Sequence, residues 1–484
     1  MLLAPVEAGK NTKNVVENKK CENKYCRLSK NDLFLSILSA LLLILCFNLP
    51  DLSFLCWISL VPLFVCLEKK ILSQRIILSF IFGYLFFLGV LYWISYVSLC
   101  GMLILCLYLS IYPIIFGICV KNFHKNYALL LLPGLWILLE LIRSRFFFSG
   151  FPWALLGHTQ FQNILLIQMA DKTGVLGITF LIVMVNVALS RIIIRQKLDK
   201  IAIFFSFFCL SIAYGYGFYK IKQNFPQPEL SVSVIQGNIK QEYKWDPAYR
   251  NYILKTFRSL SLKANKDKPD LIVWPESSLP GNILDDYSLL QEIICFSKEI
   301  KTNLLFGSPR EDKAIQRYYN SAFLFDKQGV LKTIYDKIHL VPFGEYIPYK
   351  NIFWFLSSTA IGDFSSGRQY TIFSIPGKHR KNVKFAVLIC FEDIFSEMLK
   401  NFRQKGAEFM IIITNEAWFK NSTEPVQHKA ISVFRAIENR CWIIRCANTG
   451  ISCFISPYGR IKGQVEKHKR NTFIAGFKTM CLGS

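Results

Sequence analysis

Acidic residues are scarce in this chain: 33 Asp and Glu stand against 57 Lys and Arg, leaving a formal net charge of +24. Such a surplus suits a nucleic-acid binder, but no Arg-rich helix, RNP motif or aromatic stacking platform accompanies it, so that class is set aside. A membrane surface is the better partner for part of the charge. No phosphate loop, dinucleotide fingerprint or metal cluster is present, so no cofactor is implied. The 15 cysteines lack metal-type spacing. Cys21 and Cys26 have no partner pair downstream, and Cys46, Cys56, Cys66, Cys100, Cys106, Cys119 and Cys209 lie in apolar runs as small hydrophobes. A disulfide framework does not suit a chain of 484 residues.

Charge is also missing from long stretches between residues 33 and 219. The apolar fraction is 52% and Phe occurs 42 times, which points to membrane spans. Residues 1–32 are polar and Lys-rich and read as a cytoplasmic tail or disordered arm. The run 33–49 has the length of a signal-peptide core, but more apolar runs follow at once and no small-residue cleavage site is evident, so it reads as a first span. Apolar segments near 33–49, 52–67, 76–98, 99–120, 127–142, 174–194 and 201–219 give a bundle of about seven spans. Their loops alternate in charge. The tail lysines, Lys69, Lys70, Arg75, Lys121, Lys125, Arg191, Arg195, Lys197 and Lys200 fall on one side, which the positive-inside rule makes cytoplasmic. An odd number of spans then puts residues 220 onward outside the cytoplasm. The loop 143–173, with Ser149-Gly150-Phe151-Pro152-Trp153, is too long for a turn; a re-entrant segment and a plain interfacial loop both fit it.

After 220 the pattern changes. Strand-like runs at 231–239, 271–274, 303–307, 321–326, 384–389, 409–414, 442–446 and 451–456 alternate with helical stretches around 247–265, 285–301, 395–405 and 425–440. This predicts an α/β domain with its site at strand ends.

Three such ends carry chemistry: Trp274-Pro275-Glu276-Ser277, Tyr335-Asp336-Lys337-Ile338-His339-Leu340, and Ala386-Val387-Leu388-Ile389-Cys390-Phe391-Glu392-Asp393. A carboxylate, an ammonium and a thiol are the parts needed for acyl transfer through a thioester. A free thiol titrates near ~8.5. An adjacent Lys337 lowers that value, and Glu276 takes the proton during attack. Lys337 and the main-chain N–H of Phe391 are placed to stabilise the tetrahedral oxyanion. Glu345 and Glu392 are the supporting acids that hold Lys337 and the loops. Taken singly, each residue also has an ordinary structural reading: core thiol, turn carboxylate, surface lysine.

Together with their flanking strings they resemble the carbon–nitrogen hydrolase (nitrilase) superfamily and, within it, the apolipoprotein N-acyltransferase branch. Val234-Ile235-Gln236-Gly237-Asn238-Ile239, Lys244-Trp245-Asp246-Pro247, Leu340-Val341-Pro342-Phe343-Gly344-Glu345-Tyr346, Asp363-Phe364-Ser365-Ser366-Gly367 and Ala447-Asn448-Thr449-Gly450-Ile451-Ser452 carry the likeness, which runs from about 33 to about 480. It implies a multi-span α-helical membrane bundle (33–219) plus a nitrilase-like α-β-β-α sandwich (220–480). The implied setting is the bacterial inner membrane, with the catalytic domain on the periplasmic side. The implied reaction has two steps. Cys390 takes an acyl chain from a phospholipid as a thioester, and the α-amine of a diacylglyceryl-cysteine on an apolipoprotein then accepts it. The resemblance makes Glu276, Lys337 and Cys390 the triad and puts Trp245, Tyr346, Phe391 and Trp418 at the lipid or lipoprotein entrance.

The likeness has departures. Phe391 stands where the family often has Tyr, so a hydroxyl contact is missing. Thr414-Asn415-Glu416-Ala417-Trp418-Phe419-Lys420 replaces Thr-Asn-Asp-Ala-Trp-Phe-Gly. Cys441 stands where an Arg is expected, after a shifted Glu438-Asn439-Arg440. No apolar run follows residue 456, so a domain tethered from one side, with reduced activity, is expected. A membrane-anchored amidase acting on a small amide would use the same triad, with water as acceptor, but one span would suffice to anchor it. A non-catalytic scaffold or transporter would leave the triad unexplained.

Overall fold

The computed structural model describes residues 28–120, 125–146, 150–225, 230–244, 246–279, 281–347, 363–377, 382–469 and 471–476. Trp245, Lys121, Ser149, Cys21 and Cys26 fall outside these residues.

The first helix, α1 (Lys30–Asn48), starts where Ser29 and Asp32 satisfy each other's main-chain N–H groups, and Lys70 lies 2.7 Å from the Asp32 carboxylate. Pro50 opens a 3-10 turn over Pro50–Trp57, and Pro62 lies in the first turn of α2 (Val61–Leu67), as fits a residue with no N–H to donate. Then come α3 (Leu72–Val90), α4 (Leu99–Leu109), α5 (Ile111–Cys119), α6 (Ala128–Arg145), α7 (Ala170–Arg195) and α8 (Lys200–Ile221). Among the described residues, six stretches are helical, long and apolar enough to cross a membrane: 30–48, 50–67, 72–90, 99–119, 166–195 and 200–221. The expected 127–142 span is present as helix α6, but Glu140, Arg143 and Arg145 lower its apolarity.

Two of those charges have a structural use. Glu140 accepts from Trp136 Nε1 (3.2 Å), Leu156 N (3.0 Å) and Thr179 Oγ1 (2.9 Å). Arg143 donates to the carbonyls of Trp153 (2.6 Å) and Ala154 (3.2 Å). Buried charged side chains in such a bundle need partners of this kind, and here they include the main chain of the 150–157 loop. That loop is buried rather than laid over a surface. A plain interfacial loop does not describe it.

The described residues of the second half contain twelve strands. One six-stranded sheet has the order β12 (Asn471–Gly476), β1 (Ser231–Gln236), β2 (Leu271–Val273), β3 (Asn303–Asp312), β4 (Arg317–Phe325), β5 (Leu331–Asp336). The other has the order β11 (Ile461–Val465), β10 (Ser452–Ile455), β9 (Trp442–Ala447), β8 (Phe409–Thr414), β7 (Val383–Ile389), β6 (Phe373–Ile375). Helices α9 (Arg250–Asn265) and α10 (Tyr287–Ile300) cover the first sheet; α11 (Ser396–Gln404) and α12 (Glu424–Asn439) cover the second. The central strands read as unbroken apolar runs because both faces are covered. Met410, Ile411, Ile412 and Ile413 have no exposed surface, each worth ~2 kcal/mol of burial. The sheets face each other, with Cys446 Sγ of β9 3.3 Å from the Val273 carbonyl of β2. Helix α12 also packs on α7, so the sandwich sits on the bundle through this helix.

Candidate active site

Glu276 leaves the end of β2. Trp274 anchors that end: it is fully buried, and its indole donates to Ser261 Oγ at 2.8 Å. The Glu276 main chain then runs so close to Gly307 that a Cβ there would sit 2.8 Å from Glu276 Cα, so position 307 has no room for a side chain. Glu276 Oε1 accepts from Asn320 Nδ2 (2.8 Å) and Oε2 from Asn415 N (2.9 Å), which fixes both oxygens.

Lys337 follows β5 and is 1% exposed. Its Nζ lies 2.9 Å from Glu345 and 3.8 Å from Glu276. Burial pushes the ammonium down, but the Glu345 and Glu276 carboxylates outweigh it and hold the group above its ordinary value. Asn320 spans the two acids, donating also to Glu345 Oε1 at 3.0 Å. Glu345 Oε2 accepts from Val341 N at 2.8 Å, which closes the loop after Lys337.

Cys390 follows β7 and opens a 3-10 turn over Cys390–Ile394. Its φ is +54°, a left-handed conformation that holds ~1–3 kcal/mol of strain at a residue with a side chain. The carboxylate of Glu392 in that turn accepts from Tyr335 Oη (2.8 Å), Ile338 N (2.7 Å), His339 N (3.1 Å) and Ile389 N (2.8 Å). It thereby ties the thiol's turn to the Tyr335 hydroxyl before Lys337 and to the main chain after it. Burial pushes its carboxyl up to about 7.

The charge state of the thiol departs from the expectation. Lys337 does lower the Cys390 value, but burial and then the Glu276 carboxylate raise it, and the net position is well above a free thiol. The resting sulfur is therefore protonated and needs a base at the moment of attack.

The three expected groups thus come together, each field felt by the others. Glu345 is in contact with Lys337, and Glu392 acts on its loop. Three more residues, to which the sequence assigned no role, surround Glu276, although Lys244 and Asn415 stand in strings that carry or depart from the likeness. Asn320 and Asn415 orient Glu276. Lys244, 3% exposed, donates to the Glu276 carbonyl at 3.1 Å. The Gln236–Ile239 and Ala447–Ser452 strings meet at Asn448, which donates to Ile239 O (2.8 Å) and to Asn415 Oδ1 (3.0 Å).

Of the four residues expected at the entrance, Trp245 is outside the described residues. Tyr346, Phe391 and Trp418 are all half-buried, and the Phe391 ring packs edge-on against Phe395 at 5.4 Å. Glu416 uses its extra methylene to reach inward, accepting from Arg445 Nη2 at 2.6 Å and lying 3.0 Å from His428 Nδ1. Lys420, standing in for Gly, keeps a φ of +48°. The expected Arg position after Glu438 is a buried Cys441, and Arg440 takes over: its guanidinium lies 2.9 Å from Asp171 of α7 and donates to Gln168 Oε1 at 2.6 Å.

Two family models match this chain. The apolipoprotein N-acyltransferase N-terminal domain matches residues 39–188, and the carbon–nitrogen hydrolase domain matches residues 231–479. A Geobacter metallireducens protein named apolipoprotein N-acyltransferase is 37% identical, covering 90% of this chain and 87% of its own length. Proteins of the same name from Pasteurella multocida (28% identical, 91% and 88% covered) and Haemophilus influenzae (29%, 96% and 91%) are also similar.

Proposed function

From the premise that this chain belongs to the apolipoprotein N-acyltransferase family, a bacterial membrane family, we propose that it moves a fatty acyl chain from a phospholipid to the N-terminal amine of diacylglyceryl-cysteine on apolipoproteins. Glu276 takes the Cys390 proton as sulfur attacks the ester carbonyl. Lys337 and the Phe391 N–H receive the oxyanion, and the protonated Glu276 returns the proton to the departing lysophospholipid oxygen. The lipoprotein amine then attacks the thioester, Glu276 again taking the proton, and Cys390 is restored. Glu345 holds Lys337, and Glu392 holds the loops between Lys337 and the sulfur. Trp245, Tyr346, Phe391 and Trp418 border the entrance.

The observation that carries this reading is the meeting of Glu276, Lys337 and Cys390 at the ends of three separate strands, in a domain seated on an apolar helical bundle. Drawing a ~16-carbon chain into water would cost about 12 kcal/mol at ~0.8 kcal/mol per methylene. A site resting on the bilayer avoids that. In our reading residues 1–32 face the cytoplasm, 33–219 span the inner membrane, and 220–480 form the hydrolase domain on the periplasmic side. Family membership favours transfer to an amine over release of ammonia from a small amide. Mass analysis of a lipoprotein N-terminus in cells carrying this chain or its Cys390→Ala variant tests the reading. The third acyl chain is expected with the first and not with the second; its presence with Cys390→Ala would remove the assigned nucleophile.

A further inference from the structure

Lys244 is a buried cation with no assigned part in the reaction. It follows a short 3-10 turn, Gln241–Tyr243, and lies under the Glu276 loop. Its Nζ makes one hydrogen bond among the described residues, to the Glu276 carbonyl at 3.1 Å. An ammonium has three donors, so the rest of its charge is free to act through space. The groups that feel it are Glu276, from the end of β2, and Cys390, from the end of β7. Burial pushes the amine down to about 7, against the pull of the Glu276 carboxylate and, once it forms, of the Cys390 thiolate.

The count of charges shows what is missing without it. Lys337 is bracketed by Glu345 and Glu276, so these three groups together carry one net negative charge. When Glu276 takes the thiol proton it becomes neutral and the negative charge passes to sulfur, then to the carbonyl oxygen of the tetrahedral intermediate. Glu345, Lys337 and the sulfur again sum to one negative charge. In a dry pocket that charge is costly unless a cation stands beside it.

We propose that Lys244, as an ammonium, is the second cation of the acyl-transfer site and balances the negative charge that moves from Glu276 to the sulfur and the oxyanion. This rests on the acyl-transfer reading for its chemistry. Its distinguishing consequence is a competition: the Cys390 thiol and the Lys244 amine each hold a proton more tightly when the other has lost one. Thiolate formation therefore rises with pH at unit slope only until Lys244 begins to deprotonate. Across that range the rise slackens, because the thiol loses the help of the ammonium, and it then resumes at the lower level of an unassisted thiol.

The test is the rate of Cys390 alkylation by iodoacetamide against pH. It uses the full chain in detergent micelles, cleared of thioester with neutral hydroxylamine, and reads the Cys390 peptide by mass. The wild type is expected to rise with unit slope, slacken across neutrality and resume. Lys244→Gln, which keeps a donor for the Glu276 carbonyl without the charge, is expected to react about tenfold more slowly below that point, to keep unit slope throughout and to meet the wild type above it. Lys244→Arg, which keeps a charge, is expected to restore the rate. A Lys244→Gln profile that superimposes on the wild type overturns the proposal. If the substituted chains do not fold, an unbroken unit slope in the wild type overturns it equally. No lipid or lipoprotein enters this assay. A failure here with Cys390 still reactive leaves the transferase reading intact, whereas a Cys390 that never reacts counts against the nucleophile itself.

Discussion

The indole of Trp153, from the buried loop of the bundle, donates to Oε1 of Gln427 on α12 at 2.8 Å. The same oxygen accepts from Trp93 Nε1 at 3.3 Å, and Gln427 Nε2 donates to Asn48 Oδ1 (3.0 Å) and Val90 O (3.1 Å). One amide side chain thus joins four positions of the membrane half to the hydrolase half. The adjoining His428 ring packs against Trp153 at 5.4 Å and reaches Asp393, three residues beyond the thiol.

Gln427→Leu takes the partner from two indole N–H groups and from the Val90 carbonyl in a dry interface, while Asn48 Oδ1 keeps Thr423 Oγ1 at 2.8 Å. Each stranded group costs ~1–3 kcal/mol. The expected outcome is a loss of about 3 kcal/mol or more in unfolding free energy, read by thermal or denaturant melting in detergent. Gln427→Glu, which can still accept, is expected to lose less than Gln427→Leu.

His428 predicts a pH-dependent stability. Nε2 lies 2.5 Å from Asp393, and Nδ1 faces Glu416 (3.0 Å) and Glu424 (3.4 Å), while Arg445 is 3.0 Å from Asp393. Burial pushes His428 down, but Asp393 outweighs it and the ring is held well above its ordinary value. A group raised on folding stabilises fully below its unfolded pKa, ~6.5, and loses that contribution as pH rises through the folded value. Asp393 is raised by burial and lowered more strongly by His428, so its share is lost as pH falls below the carboxylate range. His428→Leu is expected to cost ~3–5 kcal/mol at pH 6 and to flatten the fall in stability on the alkaline side. An unchanged slope in melting experiments from pH 6 to 10 would remove the charged-His assignment.

Lys420 holds a glycine-type backbone, φ +48° and ψ −144°, at the C-terminal end of the 3-10 turn that carries Trp418. Its ammonium offsets part of that strain by lying over the Tyr96 ring at 5.3 Å. Lys420→Ala keeps the strain and loses the contact; Lys420→Gly loses both. The glycine variant is therefore expected to be more stable than the alanine variant by ~1 kcal/mol or more. The reverse order in paired melts contradicts the strain.

What could be read in the sequence follows from burial. Strands β7, β8 and β9 are covered on both faces and announce themselves as apolar runs, and Glu276 and Cys390 were found because each follows such a run. Strands β6, β11 and β12 are not legible in the sequence, and β5 is marked only by its end at Tyr335-Asp336-Lys337. In β5, Lys332 and Thr333 interrupt the apolar pattern, and β11 alternates exposed Lys462 and Gln464 with partly buried Ile461 and buried Val465. In β6, three residues carry too little pattern. The site's polar supports were hidden for another reason. Asn320 lies 44 positions from Glu276 and reaches it through the strand order of the first sheet; Asn415 lies 139 away and reaches it only because the two sheets face each other. The net position of the thiol is not legible in the sequence, which shows a neighbouring cation but not the water that folding removes.

The most direct test of the central claim is the mass of Cys390 itself. The full chain is incubated with phospholipid vesicles and no acceptor, then digested at low pH and read by peptide mass. The account predicts a long-chain acyl group on the Cys390 peptide, released by neutral hydroxylamine and absent in Glu276→Gln. A Cys390 peptide that stays unmodified while acyl transfer proceeds, or one that carries only a small acyl group, would contradict it.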